Sequence, residues 1–368
     1  MKTILIVFGT RPEAIKMAPV VMELRRRSEH FRTLVCVTAQ HRQMLDQVLD
    51  IFGIRPDYDL DLMQPGQDLY DLSSRILLGM RGVLQQAKPD MVLVHGDTTT
   101  SALAALAAYY QQVPVGHVEA GLRTDNIYSP WPEEMNRRLN GQLCTLHFAP
   151  TERARQNLLH EGISPDRIAV TGNTVIDALH WVVDNGRATM PDLGRDPSRR
   201  MVLITGHRRE NFGDGIQHIC QALNQLAHRF EDVDFIYPVH LNPNIQQPVH
   251  DLIDTDRGNI LLLPPQPYLP FVGLMQQCTL VLTDSGGLQE EAPAFGKPVL
   301  VMRDTTERPE AVEAGVARLV GTRCETIVDA VSDLLSNPDH YRAMANAVNP
   351  FGDGHAARHI ADYLLSNF

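Results

Sequence analysis

The sequence contains no apolar run long enough to span a membrane, and its opening run, in MKTILIVFGTRPEAIK, is too short for a signal peptide. Positive charge is scarce as well, because 33 Lys and Arg residues stand against 44 Asp and Glu residues, for a formal net charge of -11 at pH 7. This balance excludes general attraction to nucleic acid or anionic lipid. We therefore expect a cytoplasmic protein without nucleic-acid or membrane partners. An anionic ligand would need a local cluster of arginines or backbone amides.

Several patterns that carry chemistry are also missing. The five cysteines are scattered and form no CxxC pair, which predicts buried free thiols. Neither GxGxxG nor GxxxxGK[ST] occurs, so the two common glycine-rich phosphate motifs are excluded. No HExxH or comparable ligand spacing is present. We expect no protein-bound metal and no cofactor.

Short runs rich in Val, Ile and Leu alternate with helical patterns along the chain. Runs such as TILIVFGT, MVLVHGDTTT and TLVLTDSGG end in Gly, Asp, His or Thr. Continuous apolar runs of this length are typical of strands buried on both faces. Helical stretches such as SALAALAAYYQQ lie between them. The alternation predicts an α/β protein with parallel sheets and right-handed crossovers.

The length of 368 residues favours two domains. A polar stretch rich in Gly, Pro and Arg, DNGRATMPDLGRDPSRR, indicates the seam, and we expect a hinge within residues 171–200. We predict an N-terminal domain of residues 1–171 and a C-terminal domain of residues 172–351, with a last helix in 352–368 that packs back on the first domain. The predicted fold class is two Rossmann-like α/β domains with a cleft between them.

Carboxylates follow neighbouring predicted strands, and ligands of open parallel sheets bind at the carboxyl ends of the strands. Asp97 follows the run MVLVHG and Glu119 follows VPVGHV, so both should face one crevice. Glu133 and Glu134 follow the proline-broken segment SPWP and open a helix. Asp97 could instead cap a helix, or a threonine could cap it with Asp97 nearby, and one glutamate could be a first-turn residue. Three converging carboxylates would shift one another's pKa, a common arrangement for acid–base catalysis.

A second group of residues suits a phosphate. Ser285, Gly286 and Gly287 follow the run TLVLTD and precede a helix. Two glycines allow close approach of the backbone, and the first-turn amides and the Ser285 hydroxyl can bind phosphate oxygens. Of Glu290 and Glu291 in the early helix, one could favour the helix dipole and the other could accept bonds from a ribose diol. The segment predicts a nucleotide site.

Two further strand ends carry candidate phosphate contacts. Arg308 lies just before a helix, and an arginine there is suited to bidentate phosphate binding. The alternative is an ion pair with Glu307 or Glu310. His207 lies on the loop after MVLITG and could act as an acid, a base or a phosphate donor. The alternative is a loop histidine bonded to backbone.

The first predicted strand also ends in charge. The segment FGTRPEAIKMAP places Gly9 in a tight turn and Pro12 in the first turn of a helix. The amides at the start of that helix, with Arg11 and Lys16, outline an anion site. The alternative is a capped helix with solvated charges.

The segments quoted above, taken together and in order, resemble the non-hydrolysing UDP-N-acetylglucosamine 2-epimerases of bacteria. The resemblance extends almost from end to end and rests on FGTRPEAIKMAP, TAQHRQMLDQVL, VHGDTTT, GHVEAGLRT, SPWPEEMNRR, TGNTVIDAL, TGHRRENFG, YPVHLNP, TDSGGLQEEAP and MRDTTERPEA. It implies a fold like that of GT-B glycosyltransferases and glycogen phosphorylase, and a homodimer. It implies interconversion of UDP-N-acetylglucosamine and UDP-N-acetylmannosamine, supplying surface polysaccharide such as enterobacterial common antigen or capsule. UDP-N-acetylglucosamine would also be an allosteric activator.

The resemblance assigns roles by matching position. Asp97, Glu119 and Glu133 would be the acid–base residues, and His207 would assist departure of UDP in an elimination to 2-acetamidoglucal. The implied substrate-binding residues are Arg11, Lys16, Gln266, Phe271, Ser285, Gly286, Gly287, Glu291 and Arg308, with Gln43 and Arg138 as supporting contacts. Three rival functions stay open: a GT-B type UDP-sugar glycosyltransferase, a hydrolysing epimerase, and a catalytically silent nucleotide-sugar sensor.

Overall fold

The computed structural model describes residues 1–39, 42–64 and 66–368. The chain divides into two units, of which unit 1 comprises Met1–Ala178 with Phe351–Phe368 and unit 2 comprises Leu179–Pro350. The chain passes from unit 1 to unit 2 inside the helix Thr174–Asp184. The boundary predicted after residue 171 lies shortly before that helix.

Unit 1 is built on a parallel sheet. Its described strands are β1 (Lys2–Phe8), β2 (Phe31–Val37), β3 (Tyr58–Asp59), β4 (Met91–His95), β5 (Val115–Val118), β6 (Leu146–Ala149) and β7 (Ile168–Val170). They lie in the order β3-β2-β1-β4-β5-β6-β7. The helices are α1 (Arg11–Arg26), α2 (Arg42–Phe52), α3 (Leu69–Ala87), α4 (Thr99–Tyr110), α5 (Glu133–Leu143), α6 (Glu152–His160), α7 (Thr174–Asp184) and, at the end of the chain, α15 (Ala356–Asn367).

Unit 2 repeats this plan. Its described strands are β8 (Arg200–Thr205), β9 (Val233–Pro238), β10 (Ile260–Leu263), β11 (Leu280–Thr283), β12 (Val299–Val301) and β13 (Ala317–Leu319), in the order β10-β9-β8-β11-β12-β13. The helices are α8 (Asp214–Arg229), α9 (Pro243–Leu252), α10 (Tyr268–Gln277), α11 (Leu288–Glu291), α12 (Pro309–Glu313), α13 (Cys324–Ser336) and α14 (Pro338–Ala345). All pairs in both sheets are parallel, so the predicted fold class of two parallel α/β domains is confirmed.

The direction of winding reverses once in each sheet. In unit 1 the reversal lies between β1 and β4, and in unit 2 it lies between β8 and β11. Ligands of open α/β sheets bind outside the carboxyl ends of the strands at such reversals. A ligand is therefore expected to bind at the loops that follow β1, β4, β8 and β11.

The apolar runs form the cores of both units. The central strands are almost fully buried, whereas β10 and β13, at the two edges of the unit 2 sheet, are only partly covered. All five cysteines are free and buried, as predicted. Within the described residues, no helix combines the length and the apolar character needed to cross a bilayer.

The last helix belongs to unit 1. The Asp177 carboxylate of α7 accepts the amides of Ala356 and Ala357, which open α15, at 3.1 and 2.8 Å. Arg27 at the end of α1 pairs with Asp362 of α15 at 2.6 Å. An N-terminal cap and an ion pair thus fasten this helix to α7 and α1.

Candidate active site

The turn between β1 and α1 is closed by its own side chains. Thr10 caps α1, and the Gly9 and Thr10 amides donate to Glu13 Oε2 at 3.0 and 2.8 Å. The Thr98 hydroxyl donates to the other oxygen of Glu13 at 2.7 Å. The amides of Gly9 and Thr10 are therefore occupied, as in the capped-helix alternative, but Lys16 is not a solvated charge because it forms an ion pair with Glu119. Burial raises the pKa of Glu13, although these hydrogen bonds and the charge of His95 oppose the shift.

Asp97 follows β4 but does not cap the next helix. Thr98 is the cap of α4, since its hydroxyl accepts the Ser101 amide at 3.0 Å. The Arg137 guanidinium of α5 donates to Asp97 Oδ2 through Nε at 2.9 Å and Nη2 at 2.6 Å. The side-chain Nδ2 of Asn136 donates to the backbone carbonyl of Asp97 at 2.9 Å. Two side chains of α5 thus fix Asp97.

The two glutamates that open α5 have different environments. Glu134 is fully buried and accepts the Thr124 amide at 3.1 Å, Arg137 at 3.1 Å and Arg138 at 3.2 Å. It therefore fastens the segment that leads into α5. Glu133 lines a cavity of about 300 Å³, together with Asp97. Its Oε2 is buried without a hydrogen-bond partner among the described residues. Glu133 is therefore the glutamate that faces a cavity.

Glu119 directly follows β5, beside the end of β4, and takes a left-handed backbone conformation with φ of 62°. Its Oε2 forms an ion pair with Lys16 of α1 and accepts a hydrogen bond from the side-chain Nδ2 of Asn173 at 2.9 Å. His95 Nε2 lies 3.6 Å from the same oxygen. Burial raises the pKa of Glu119, but the interactions with Lys16 and His95 outweigh it and hold that pKa well below its usual range. Glu119 is thus a firmly held carboxylate.

His207 follows β8 in unit 2 and pairs with a buried carboxylate. Its Nδ1 lies 3.2 Å from Asp284 Oδ1. The other oxygen of Asp284 accepts the amides of His207 and Arg208 at 2.9 and 2.8 Å and Asn211 Nδ2 at 3.1 Å. The His240 ring stacks on His207 with 5.8 Å between centroids. Burial lowers the pKa of His207, and the Asp284 charge opposes that shift. The pairing leaves Nε2 of His207 as the outer ring nitrogen.

The Ser285–Gly287 segment follows β11, beside Asp284. The Ser285 amide donates to Thr283 Oγ1 at 2.9 Å, and Gly287 directly precedes α11. A Cβ on Gly287 would lie 3.1 Å from Glu291 Oε1, so a side chain there would crowd that carboxylate. Glycine at 287 therefore keeps the backbone and Glu291 close together.

Arg308 pairs with a partner that the sequence did not indicate. Its Nε forms an ion pair with the buried carboxylate of Glu290 in α11, and its Nη1 donates to the Glu307 carbonyl at 3.1 Å. This pairing links the loop after β12 to the helix that follows Ser285–Gly287. Glu290 thus has a structural role in holding Arg308.

The remaining predicted residues occupy scattered local environments. Arg11 opens α1 and is partly exposed, and Gln43 is exposed on α2. Gln266 donates to the Pro264 carbonyl at 2.7 Å, while Phe271 is half-buried in α10. Arg138 contacts Glu134, as above. The described residues contain no group of three His, Cys, Asp or Glu side chains arranged to hold a metal ion.

Sequence reasoning missed the side chains that hold the predicted residues in place. These are Glu13, His95, Arg137, Asn173 and Asp284. One signal was available for Arg137, which follows Glu133 by four residues and so shares its helix face. Thr10 and Glu13 also have the spacing of a capping box, which a sequence does show. The remaining contacts, including that of Glu13 with Thr98, join positions far apart in the chain, and a single sequence carries no sign of them.

Comparisons with known proteins identify the family. The profile described as UDP-N-acetylglucosamine 2-epimerase matches residues 22–365. Over 374 residues the chain is 56% identical to the UDP-N-acetylglucosamine 2-epimerase of Escherichia coli (strain K12), covering 99% of this chain and 98% of that protein. The crystal structure of UDP-GlcNAc 2-epimerase from Neisseria meningitidis bound to UDP-GlcNAc is 51% identical, with a TM-score of 0.89 over 99% of this chain and 100% of that chain. A co-structure of S. aureus MnaA with UDP is 42% identical, with a TM-score of 0.88 over 100% of this chain and 98% of that chain. These similarities confirm the resemblance drawn from the motifs, and the chain belongs to the UDP-N-acetylglucosamine 2-epimerase family.

Proposed function

We propose that this protein interconverts UDP-N-acetylglucosamine and UDP-N-acetylmannosamine by inverting carbon 2 of the sugar. Membership of the family supports this activity, as do the UDP-GlcNAc and UDP bound to the two related structures. The observation that carries the proposal is the grouping of carboxylates in unit 1. Asp97 and Glu133 line one cavity. Glu119 directly follows β5, the strand paired with β4, and Asp97 follows β4. Ionisable groups so grouped suit proton transfer to and from a sugar carbon.

The proposed reaction is an elimination followed by re-addition. The proton on carbon 2 moves to a carboxylate, and the electron pair of the broken C–H bond forms the C1–C2 double bond of 2-acetamidoglucal. At the same time the C1–O bond breaks, and UDP departs with its electron pair. UDP then adds back while carbon 2 receives a proton from the opposite face. Asp97, Glu119 and Glu133 handle the proton in this scheme. Loss of one such positioned group lowers turnover by roughly 10²–10⁴-fold.

Unit 2 supplies the groups that bind UDP in this proposal. Ser285, Gly286 and Gly287 offer a hydroxyl and backbone amides to the diphosphate, and charge that grows on the departing UDP is stabilised by such preorganised donors. Glu291 accepts bonds from the ribose hydroxyls. His207 donates to the diphosphate through Nε2, because Nδ1 faces Asp284.

The remaining predicted contacts complete the substrate site. Arg308, held by Glu290, adds positive charge near the diphosphate. Gln266 and Phe271 contact the uracil. Arg11 binds a phosphate oxygen, and Lys16 supports Glu119.

Proton NMR of UDP-N-acetylglucosamine in deuterated water tests the reaction class. We expect UDP-N-acetylmannosamine signals together with deuterium at carbon 2 in both sugars. A product that retains the original hydrogen at carbon 2 would contradict elimination through loss of that proton.

The same assay separates the rival functions. A glycosyltransferase gives little product without an acceptor, and a hydrolysing epimerase releases free N-acetylmannosamine with UDP. A catalytically silent sensor binds the nucleotide sugar but leaves its NMR spectrum unchanged. For an epimerase, Glu119→Gln should keep UDP affinity and lose turnover. Exposed Glu152, changed to Gln, is the matched control with full turnover expected.

Three further properties complete the proposal. UDP-N-acetylglucosamine also activates the enzyme, so the reverse reaction from pure UDP-N-acetylmannosamine should show a lag that added UDP-N-acetylglucosamine removes. The protein is a homodimer, and light scattering should give twice the mass of 41.1 kDa. The product supplies N-acetylmannosamine units for surface polysaccharide, so deletion of the gene should remove that sugar from the cell-surface glycans.

A further inference from the structure

The buried histidine at the end of β4 has no role in the scheme above. His95 is 4% exposed, and neither ring nitrogen has a hydrogen-bond partner among the described residues. Buried polar groups in native proteins are nearly always hydrogen-bonded, so an imidazole without a partner calls for an explanation. Its Nε2 lies 3.6 Å from Oε2 of Glu119, slightly beyond hydrogen-bond length.

Side chains from three places, His95 among them, converge on that carboxylate oxygen. Lys16 of α1 forms an ion pair with it, and Asn173 Nδ2 donates to it at 2.9 Å from the loop before α7. His95 approaches the same oxygen from β4. Because Oε2 is held in this way, Oε1 is the oxygen of Glu119 that can exchange a proton with a ligand.

Charged groups on the neighbouring elements act on His95 in opposite directions. Glu13 of α1 and Glu119 after β5 both interact electrostatically with the ring. Lys16 on α1 carries the opposing positive charge, whereas burial lowers the pKa of His117 on β5 to about 4 and so keeps that ring neutral near pH 7. The ring thus faces two carboxylates in a buried setting, where electrostatic interactions are strong.

We propose that His95 is a positioning residue that acts through Glu119. By holding Oε2 together with Lys16 and Asn173, its Nε2 sets the direction in which Oε1 points and keeps the carboxylate ionised until a proton is transferred. This proposal rests on the proposed function, since it requires Glu119 to handle the proton of carbon 2. When that proton arrives on Oε1, the negative charge that His95 faces disappears. Because the imidazole interacts favourably with the ionised carboxylate, it favours release of the proton from Oε1.

Asparagine and glutamine at position 95 separate the two ring nitrogens. The side-chain amide of Gln reaches the place of Nε2, whereas that of Asn reaches the place of Nδ1. We expect His95→Asn to lower kcat by roughly tenfold or more at a nearly unchanged KM, and His95→Gln to recover much of that loss. Removing His95 should also move the acidic limb of the kcat–pH profile upwards by roughly one unit, because a favourable neighbour of the Glu119 carboxylate is lost.

The matched control is another buried histidine without hydrogen-bond partners in the same sheet. His147 on β6 is fully buried, and both its ring nitrogens are unpaired among the described residues. We expect His147→Asn to leave unchanged the pH at which kcat falls on the acidic side of the kcat–pH profile. If His95→Asn and His147→Asn give the same pH profile, the proposal is overturned. Equal losses in His95→Asn and His95→Gln with no shift of the limb would also overturn it, since they would indicate packing alone.

The wild-type assay distinguishes this proposal from the proposed function. If the wild-type protein fails to exchange deuterium into carbon 2, the epimerase proposal fails before any variant is compared. If wild-type exchange is normal and the His95 variants match it in rate and pH profile, only the positioning role of His95 is refuted. Should His95→Asn fail to fold, the pH profile of His95→Gln decides, with an upward shift supporting a charge contribution from the ring and an unchanged limb refuting it.

Discussion

At the scale of single residues, the pairing of His207 with Asp284 gives a sharp prediction. One oxygen of Asp284 accepts three donors and the other faces the imidazole. Asparagine has only one acceptor oxygen, so Asp284→Asn must leave either the ring or the three donors without an acceptor. We expect kcat to fall by roughly tenfold or more and UDP affinity to weaken. Steady-state kinetics and calorimetric titration with UDP measure the two effects.

A second histidine–aspartate pair in unit 2 supplies the control. Asp333 lies 2.6 Å from His340 Nδ1 on the exposed surface of α13 and α14. Asp333→Asn should leave both kcat and UDP affinity unchanged. If Asp284→Asn behaves in the same way, the role given to Asp284 is wrong.

The residues of the candidate site differ in how far the sequence could predict them. Asp97 and Glu119 could be located because strand ends are visible as the ends of apolar runs. The choice between Glu133 and Glu134 could not be made, since both occupy the first turn of α5, both have a basic residue four positions later, and the contact of Glu134 with the Thr124 amide is tertiary. The same holds for the pairing of Glu290 with Arg308.

At the scale of elements, apolar runs predicted the central strands well because these strands are buried on both faces. Helix length after Ser285–Gly287 was harder to predict. Here α11 ends at Glu291 and continues as a 3₁₀ turn, Ala292–Phe295, in which Pro293 cannot donate an α-helical hydrogen bond. The free amides expected after β1 are absent at Gly9 and Thr10 for a different reason. The Glu13 carboxylate reaches back and accepts the amides that a ligand would otherwise use.

Gly9 gives a prediction at the scale of the β1–α1 connection. A Cβ at this position would lie closer than 3.0 Å to the hydroxyl oxygens of Thr38 and Thr100, which bond each other at 2.8 Å. Gly9→Ala should therefore lower the free energy of unfolding by about 1–3 kcal/mol, as overpacking does. Urea denaturation measures the change.

A helical glycine provides the opposite case. Gly82 lies within α3, and a Cβ added there would meet nothing within 4 Å outside its own helix backbone. Gly82→Ala should therefore stabilise the protein by about 0.5–1 kcal/mol, because alanine loses less backbone freedom on folding than glycine does. Equal effects of the two substitutions would contradict the close approach at Gly9.

At the scale of the whole molecule, two α/β units could be inferred from the chain length and the repeated strand and helix patterns. The point of division could not be read to the residue, because the chain changes unit inside the continuous helix α7 rather than in a polar loop. The last helix returns to unit 1 through Asp177, a contact that spans almost half of the chain. Periodicity records local burial, and it contains no information on such distant partners.

Acid should destabilise unit 1 through its buried histidines. Burial lowers the pKa of His117 to about 4 and that of His147 to about 3, whereas the unfolded chain titrates near 6.5. Between these values the unfolded state binds more protons, so the free energy of unfolding falls as the pH falls below about 6.5. Each histidine contributes a slope approaching about 1.4 kcal/mol per pH unit.

Replacing one of these histidines isolates its share of the slope. We expect His147→Asn to lose up to about 1.4 kcal/mol per pH unit between about pH 6 and pH 5, measured by urea denaturation at several pH values. Glu13 and Asp177, whose pKa values burial raises, act in the opposite direction but equally in both proteins, so they cancel in the comparison. Exposed His218 on α8, changed to Asn, should leave the slope unaltered. A slope for His147→Asn that equals the wild-type slope would mean that His147 takes up its proton in the folded protein, and acid sensitivity would then have to originate elsewhere.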